Sequence, residues 1–398
     1  MLLLTAALGF APPSDAPPDA DVCWCWEGHN LPAPQVPTKN CASKSDCCPG
    51  TGSCACYCAA APAETASANA ETPLSFPAKT ASTNAEPPLS FLVLGDWGGS
   101  SDSSPTTAAQ VANGQGMAAV AANLSAQFVM AVGDNFYSTG IHGDDHAQRF
   151  VDTFEKCYTE DALDLPWYAL AGNHDHHGNV SAQIAYTHDQ SRWTFPDFWY
   201  TFNRTAAGVT TQVIMIDTVT LCGMAYMDEA TGEVVSGEAH PMQARAGEQL
   251  AWIEATLKAS TADYVWVSGH YPVYSQCQHG PTACLISQVL PLMRQYGASG
   301  FIAGHDHCLG HYNGVGPDDG MAFVLSGAGK ECCYRPDSLS SKLNAGDLKF
   351  RMDKEESQGA SGGFAALTAT AAATTVTYFD TDGKALFTSD PVAPRSRR

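Results

Sequence analysis

The residue pattern specifies an α/β domain with a mixed sheet, preceded by a small cysteine-rich module. Five short apolar runs end in a glycine followed by a metal-ligand side chain, and strand-like stretches alternate with helix-like ones from Phe91 onward. Eight of the fifteen cysteines crowd between Cys23 and Cys58. The first two features are those of βαβ construction. The third belongs to a segment with too few apolar residues for a core of its own.

At 398 residues and 44% hydrophobic content there is room for one large α/β domain with an appendage. Lys+Arg 20 against Asp+Glu 41 gives a formal charge of −21. That excess argues against nucleic acid or an anionic membrane as the main partner. An anionic substrate must then be captured by local positive charge. Fifteen cysteines point to an oxidising compartment, and the sequons at Asn123, Asn179 and Asn203 are compatible with glycosylation there. Met1 to Ala11 reads as the apolar part of a short secretory leader lacking a basic flank, and no stretch is long enough to span a bilayer. A secreted or luminal protein is expected.

In chain order, residues 1–20 form the leader and 21–60 the module stapled by disulfides. A metal–thiolate cluster is the alternative for the module, and connectivity cannot be deduced. Residues 61–90 are an Ala/Pro/Thr/Ser-rich tether in which Thr65–Lys79 is echoed by Thr80–Phe91, a duplication that lengthens it. Residues 91–398 read as the large α/β domain. Thr106–Leu124 and Ala244–Lys258 read as helices, the second with Leu250, Ile253 and Leu257 at core spacing, and Cys284–Tyr296 reads as another. Gly363–Thr370 and Thr374–Thr388 read as antiparallel strands, with Asp382-Gly383 as a turn.

The five runs lead to Gly95-Asp96, Gly133-Asp134, Gly172-Asn173-His174, Gly269-His270 and Gly304-His305-Asp306-His307. Ligands of open α/β sheets bind beyond the carboxyl ends of the strands, so five such ends delivering Asp, Asn and His to one edge make a metal centre. Singly, each has an ordinary explanation. A Gly-Asp after a strand is more often a turn, Tyr137 a core residue, His174 a loop cap, and His176, His177 and His311 nothing more. Together, Asp96, Asp134 and Tyr137 offer hard anionic oxygens, and Asn173, His270 and His305 neutral donors. A tyrosinate requires a strong Lewis acid to displace its proton, which suits ferric iron, while the neutral donors suit a softer divalent ion.

Gly95-Asp96-Trp97-Gly98-Gly99, Gly133-Asp134-Asn135-Phe136-Tyr137, Gly172-Asn173-His174-Asp175, Gly269-His270-Tyr271-Pro272 and Gly304-His305-Asp306-His307 resemble the purple acid phosphatases, in particular their small, animal-type, tartrate-resistant branch. Ala171–Tyr186, Leu325–Gly329 and Ser361–Phe364 extend the likeness, which runs from about Phe91 to the C-terminus. The resemblance implies a metallophosphoesterase-type sandwich of two mixed β-sheets flanked by helices. It implies that Asp96, Tyr137 and His307 hold Fe(III), that Asn173, His270 and His305 hold a divalent metal (Fe, Zn or Mn), and that Asp134 bridges them. His174 and His279 would line the phosphate site, and Cys222 would pair with Cys284. Gln278 stands where a carboxylate is expected beside the histidine, which bears on pH profile and substrate orientation.

The implied activity is hydrolysis of phosphate monoesters by a metal-bound hydroxide, with His174 hydrogen-bonding the phosphate or protonating the leaving alkoxide and His279 assisting. An acidic loop over Gly223–Pro241, with Asp228, Glu229, Glu233 and Glu238, would lie at the active-site mouth and repress activity until cut, or else be plain surface. The alternatives are a related metallophosphoesterase acting on diesters or nucleotides, which Tyr137 argues against, and an extracellular binding protein using the module, whose scaffold would have lost ligands. The module's own target would be a glycan or a protein.

Overall fold

The structure is a computed structural model that describes residues 86–188, 192–227, 234–333, 348–352 and 362–396, with the backbone of Val22–Glu27, Lys39–Cys41 and Cys54–Ala59. The leader, residues 61–85 of the tether, Asp228, Glu229, Glu233 and Ser361 lie outside the described residues. The chain divides into Met1–Ala81 and Ser82–Arg398. Within the first unit, Val22–Glu27 pairs antiparallel with both other strands, and the register sets Cys23 opposite Cys41 and Cys58, and Cys25 opposite Cys56.

The second unit holds two seven-stranded mixed sheets. One runs in the order Ala385–Thr388, Thr374–Asp380, Gly363–Ala369, Leu89–Leu94, Phe128–Val132, Trp167–Leu170, Trp193–Thr194, with its last four strands parallel. The other runs Leu348–Arg351, Leu309–Asn313, Ala322–Ser326, Gly300–Ala303, Tyr264–Ser268, Val209–Met215, Tyr200–Ala206, with a parallel centre. All five apolar runs are buried strands, because strands covered on both faces need no polar alternation.

The sequence pattern places the five strand ends on one edge; the structure divides them between two sheets. Ser326 joins the sheets, its Oγ donating to Val93 O and its carbonyl accepting from Gly95 N–H, each at 2.8 Å. The carboxyl ends of both parallel centres therefore face one another across a single crevice.

Helix Ala108–Leu124 starts at Thr107, whose Oγ1 accepts from Gln110 N–H at 3.1 Å. Its buried Asn113 donates to the carbonyls of Ala328 and Gly329, so the helix pins the Leu325–Gly329 segment. Helix Ala246–Ala259 buries Ile253 and Leu257 as the spacing requires, while Leu250 is half-buried and packs against the core from its edge. The expected single helix over Cys284–Tyr296 is instead two, Ala283–Gln288 and Leu290–Tyr296. Pro291 has no N–H to donate and its ring crowds the preceding turn, which interrupts the ladder.

Within 223–241, Met224–Met227 and Val234–Glu238 pair as antiparallel strands. Cys222 pairs with Cys284, Cys277 with Cys308 and Cys332 with Cys333, while Cys157 is a free thiol that burial pushes up to about 12. Among the described residues, no helix is long and apolar enough to cross a membrane.

Candidate metal centre

Asp96 and Asp134 end adjacent parallel strands and His305 ends a strand of the other sheet. All three adopt left-handed backbone, with φ of 58°, 52° and 74°. Such residues cost on the order of 1–3 kcal/mol each and persist where surrounding contacts over-determine them. Here those contacts are direct: Asp96 N–H donates to Gly133 O at 2.9 Å, and His305 N–H donates to Asp96 Oδ2 at 2.7 Å. The glycines before the ligands let the ends converge. A Cβ on Gly172 would lie 2.2 Å from Asp134 Oδ1, and one on Gly304 2.5 Å from Asp96 Oδ2.

The Tyr137 phenol oxygen lies 3.0 Å from Asp96 Oδ1, 3.0 Å from Asp134 Oδ2 and 2.9 Å from His307 Nε2. Beside this group, His270 Nε2 lies 3.1 Å from Asn173 Oδ1 and 3.2 Å from Asp134 Oδ2. The His305 ring is 5.1 Å from that of His270 and 4.1 Å from that of His279. The His174 ring packs tilted against Tyr137, centroids 4.4 Å apart, with Nε2 at 4.0 Å from Asp134 Oδ2 and Nδ1 donating to Ser138 O. The two catalytic and seven ligand candidates thus gather in one buried crevice, with Asp134 central to it.

The donors are oriented from behind. His270 Nδ1 donates to Val132 O at 2.9 Å and His307 Nδ1 to Glu331 Oε1 at 3.0 Å, which turns both Nε2 atoms inward. Burial, with Asp134 beside it, pushes the Asp96 carboxyl well up. Burial would do the same to Asp134, but His270, His174 and His305 outweigh it and hold that carboxyl low. Burial also lowers His305, His307 and His279, disfavouring their charged forms. His270 is the exception: burial opposes its proton, yet Asp134 and Asp96 raise it to about 9.

These residues fit a dinuclear centre on the chemistry of the donors alone. One phenol proton cannot satisfy two carboxylate oxygens at 3.0 Å, and oxygens so crowded away from water call for cations between them. Asp96, Asp134 and His270 present ligand atoms all within 4.8 Å of one another.

Sequence reasoning gave no role to four supporting residues. Buried Asp175 accepts from the N–H groups of Gly172, Asn135 and Phe136, tying two motifs together. Buried Asp306 accepts from His279 N–H at 2.7 Å and from Ser275 Oγ, fixing the His279 loop to the segment of His305 and His307. Both carboxylates stand inside the motifs, but nothing in the sequence tells a clamp from a ligand. Lys330 and Glu331 contact Tyr137 and His307 from a segment that carries no motif. Of the histidines read as ordinary, His176 pairs with Asp217 at 2.8 Å and His311 Nδ1 lies 3.0 Å from the Tyr378 hydroxyl.

The calcineurin-like phosphoesterase family matches residues 89–309. The chain is 42% identical over 299 residues to tartrate-resistant acid phosphatase type 5 of Sus scrofa, covering 74% of this chain and 84% of that protein. It is 41% identical over 300 residues to the Homo sapiens protein of the same name, covering 74% and 88%. Purple acid phosphatase 17 of Arabidopsis thaliana is 31% identical over 265 residues, covering 66% and 74%. Among solved structures, GAP50, the anchor in the inner membrane complex of Plasmodium, shares the fold with a TM-score of 0.62 at 19% identity, covering 78% of this chain and 90% of that one. A purple acid phosphatase from yellow lupin (Lupinus luteus) seeds shares it with a TM-score of 0.52 at 16% identity, covering 75% and 53%. The chain therefore belongs to the calcineurin-like phosphoesterases and, within them, to the tartrate-resistant purple acid phosphatases, phosphoric monoester hydrolases with a dinuclear Fe(III)–M(II) centre.

Proposed function

We propose that in this acid phosphatase Asp96, Tyr137 and His307 hold Fe(III), that Asn173, His270 and His305 hold the divalent ion (Fe, Zn or Mn), and that Asp134 is shared between them. What carries the assignment is one oxygen: Asp134 Oδ2 lies 3.0 Å from the Tyr137 phenol and 3.2 Å from His270 Nε2. When bound, the two ions lower the pKa of water and neutralise charge on phosphate oxygens.

The remaining work falls to side chains. His174 keeps a proton at Nδ1 through Ser138 O, so the proton it passes to the leaving alkoxide is carried at Nε2. His279, its backbone fixed by Asp306, borders the His305 side and orients the phosphate from there. Half-buried Gln278 puts a neutral amide beside it in place of a carboxylate and removes one titration from the activity profile.

Metal analysis with a visible spectrum tests the assignment. A phenolate-to-ferric band is expected, with about one iron per chain where the divalent ion is Zn or Mn and about two where it is Fe. A colourless, zinc-only protein that prefers diesters to monoesters would move the assignment to the diester or nucleotide reading.

The compartment is proposed to be secretory or luminal, supported by the Cys222–Cys284 and Cys277–Cys308 pairs. Asn123 and Asn203 are exposed sequons, whereas Asn179 already caps a helix through Ala182 N–H and donates to Gly143 O. Residues 21–60 are proposed as a disulfide module tethered by 61–90, with a glycan or protein as its target, and nucleic acid is not proposed as a partner. Glycosidase treatment of secreted protein, read as a mass shift, tests the compartment.

A further inference from the structure

Lys330 and Glu331 touch the Tyr137–His307 half of the centre from outside the proposed ligand set. Glu331 Oε1 lies 3.0 Å from His307 Nδ1, on the far side of the ring from the Nε2 that meets the Tyr137 phenol oxygen at 2.9 Å. Lys330 Nζ lies 4.2 Å over the Tyr137 ring and 3.4 Å from that same Glu331 oxygen. The backbone holds the pair in place: Lys330 N–H donates to Asp96 O at 2.7 Å, and Lys330 O accepts from Thr107 Oγ1 at 2.7 Å. The ammonium is largely covered, its side chain 15% exposed, so its charge acts on the ring through little water.

The two groups act on the donors in opposite senses. A carboxylate on the outer nitrogen of a ligating imidazole increases the electron density the inner nitrogen can donate. A cation over an aromatic face is drawn to its electron density and lowers the energy of those electrons. The first favours the trivalent ion and the second disfavours it. The ion pair between them fixes both at once.

We infer that Lys330 and Glu331 are positioning residues that set, with opposite sign, how strongly Tyr137 and His307 donate to iron, and so which oxidation state the centre retains. The inference rests on the proposed assignment of Tyr137 and His307 to Fe(III).

The test uses the full chain prepared in the Fe(III)–Zn(II) form, so that only one ion can change state. Two quantities are read: the position of the phenolate-to-ferric band, and the midpoint of its bleaching in a titration with a chemical reductant. Glu331→Gln weakens donation by His307, which moves the band to longer wavelength and raises the midpoint. Lys330→Met lifts the phenolate electrons, which also moves the band to longer wavelength but lowers the midpoint. Opposite midpoint shifts are a signature that mere loosening of the site does not give. Midpoints that stay put or move together overturn the inference, and so does loss of iron from either variant. Should a variant not accumulate as folded protein, Glu331→Ala or Lys330→Gln is read by the same criteria. A parent enzyme lacking the band altogether would instead overturn the Tyr137 assignment, which keeps the two failures apart.

Discussion

Asp134 Oδ2 stands 3.0 Å from the phenol oxygen of Tyr137, although the two residues are only three positions apart and leave their strand in a left-handed turn. That turn, at φ 52° for Asp134, lets one short segment supply both the carboxylate proposed to be shared and the phenol. Asp134→Ala should therefore remove both metals and abolish turnover. The loss of metal affinity should exceed the roughly 10–100-fold typical of outer-shell changes. A variant that kept full metal content and turnover would refute the shared role.

Tyr137→Phe separates colour from coordination. Its ring should still pack against His174, 4.4 Å away, so the fold should be kept while the visible band disappears. Absorbance and iron content on one sample check this, and a persistent purple colour would exclude Tyr137 as the source.

Gly172→Ala places a methyl 2.2 Å from Asp134 Oδ1 and 2.5 Å from Asp134 N, where the backbone cannot yield. Overpacking of this kind costs about 1–3 kcal/mol, and here it displaces a shared ligand. A lower Tm with depleted metal is expected. Gly247→Ala is the control: its Cβ meets nothing within 4 Å on helix Ala246–Ala259, and the change should stabilise by about 0.5–1 kcal/mol.

The buried His176–Asp217 pair should make stability depend on pH. Burial favours the neutral form of Asp217, yet His176 and the Thr220 N–H lower it overall; for His176, burial opposes charge and Asp217 outweighs it. The depressed carboxylate stabilises above its unfolded value of about 3.9 and ceases to as pH falls through its folded value. The raised imidazole stabilises below its unfolded value of about 6.5 and ceases to as pH rises through its folded value. Both contributions are complete between about pH 4 and 6.5. Asp217→Asn should cost about 3–5 kcal/mol there. Denaturant melts at pH 5 and pH 8 check this, with the larger loss expected at pH 5.

Cys277–Cys308 ties the loop of His279 to the segment of His307, and both cysteines are buried. Replacing both by Ala should cost about 2–4 kcal/mol of stability. Asp306, still accepting from His279 N–H, should preserve metal content and most of kcat. Unchanged melting would show that Asp306 alone suffices.

The strands were legible because both faces of each are covered: Leu89–Leu94, Phe128–Val132 and Tyr264–Ser268 read as unbroken apolar runs. Helix breaking at Pro291 was written in the residue itself, but its effect on Cys284–Tyr296 depends on how the preceding turn packs. The division of the strand ends between two sheets was not legible, because periodicity says which residues are buried and not which strands pair. Asp175 and Asp306 were seen and left without a task, since a clamp and a ligand are the same carboxylate until its neighbours are known.

Residue types and spacing pointed to hard oxygens, imidazoles and a phenol near the ends of apolar runs, and the family resemblance assigned them their roles. Tertiary structure decided the distances, and with them which carboxylate oxygen stands between the phenol of Tyr137 and the imidazole of His270. It also brought Lys330 and Glu331, remote in sequence from both Tyr137 and His307, onto those two donors. The physical reason is one of range. Burial and backbone preference are written locally along a chain, whereas charge and hydrogen bonding act through space between segments that only folding makes neighbours.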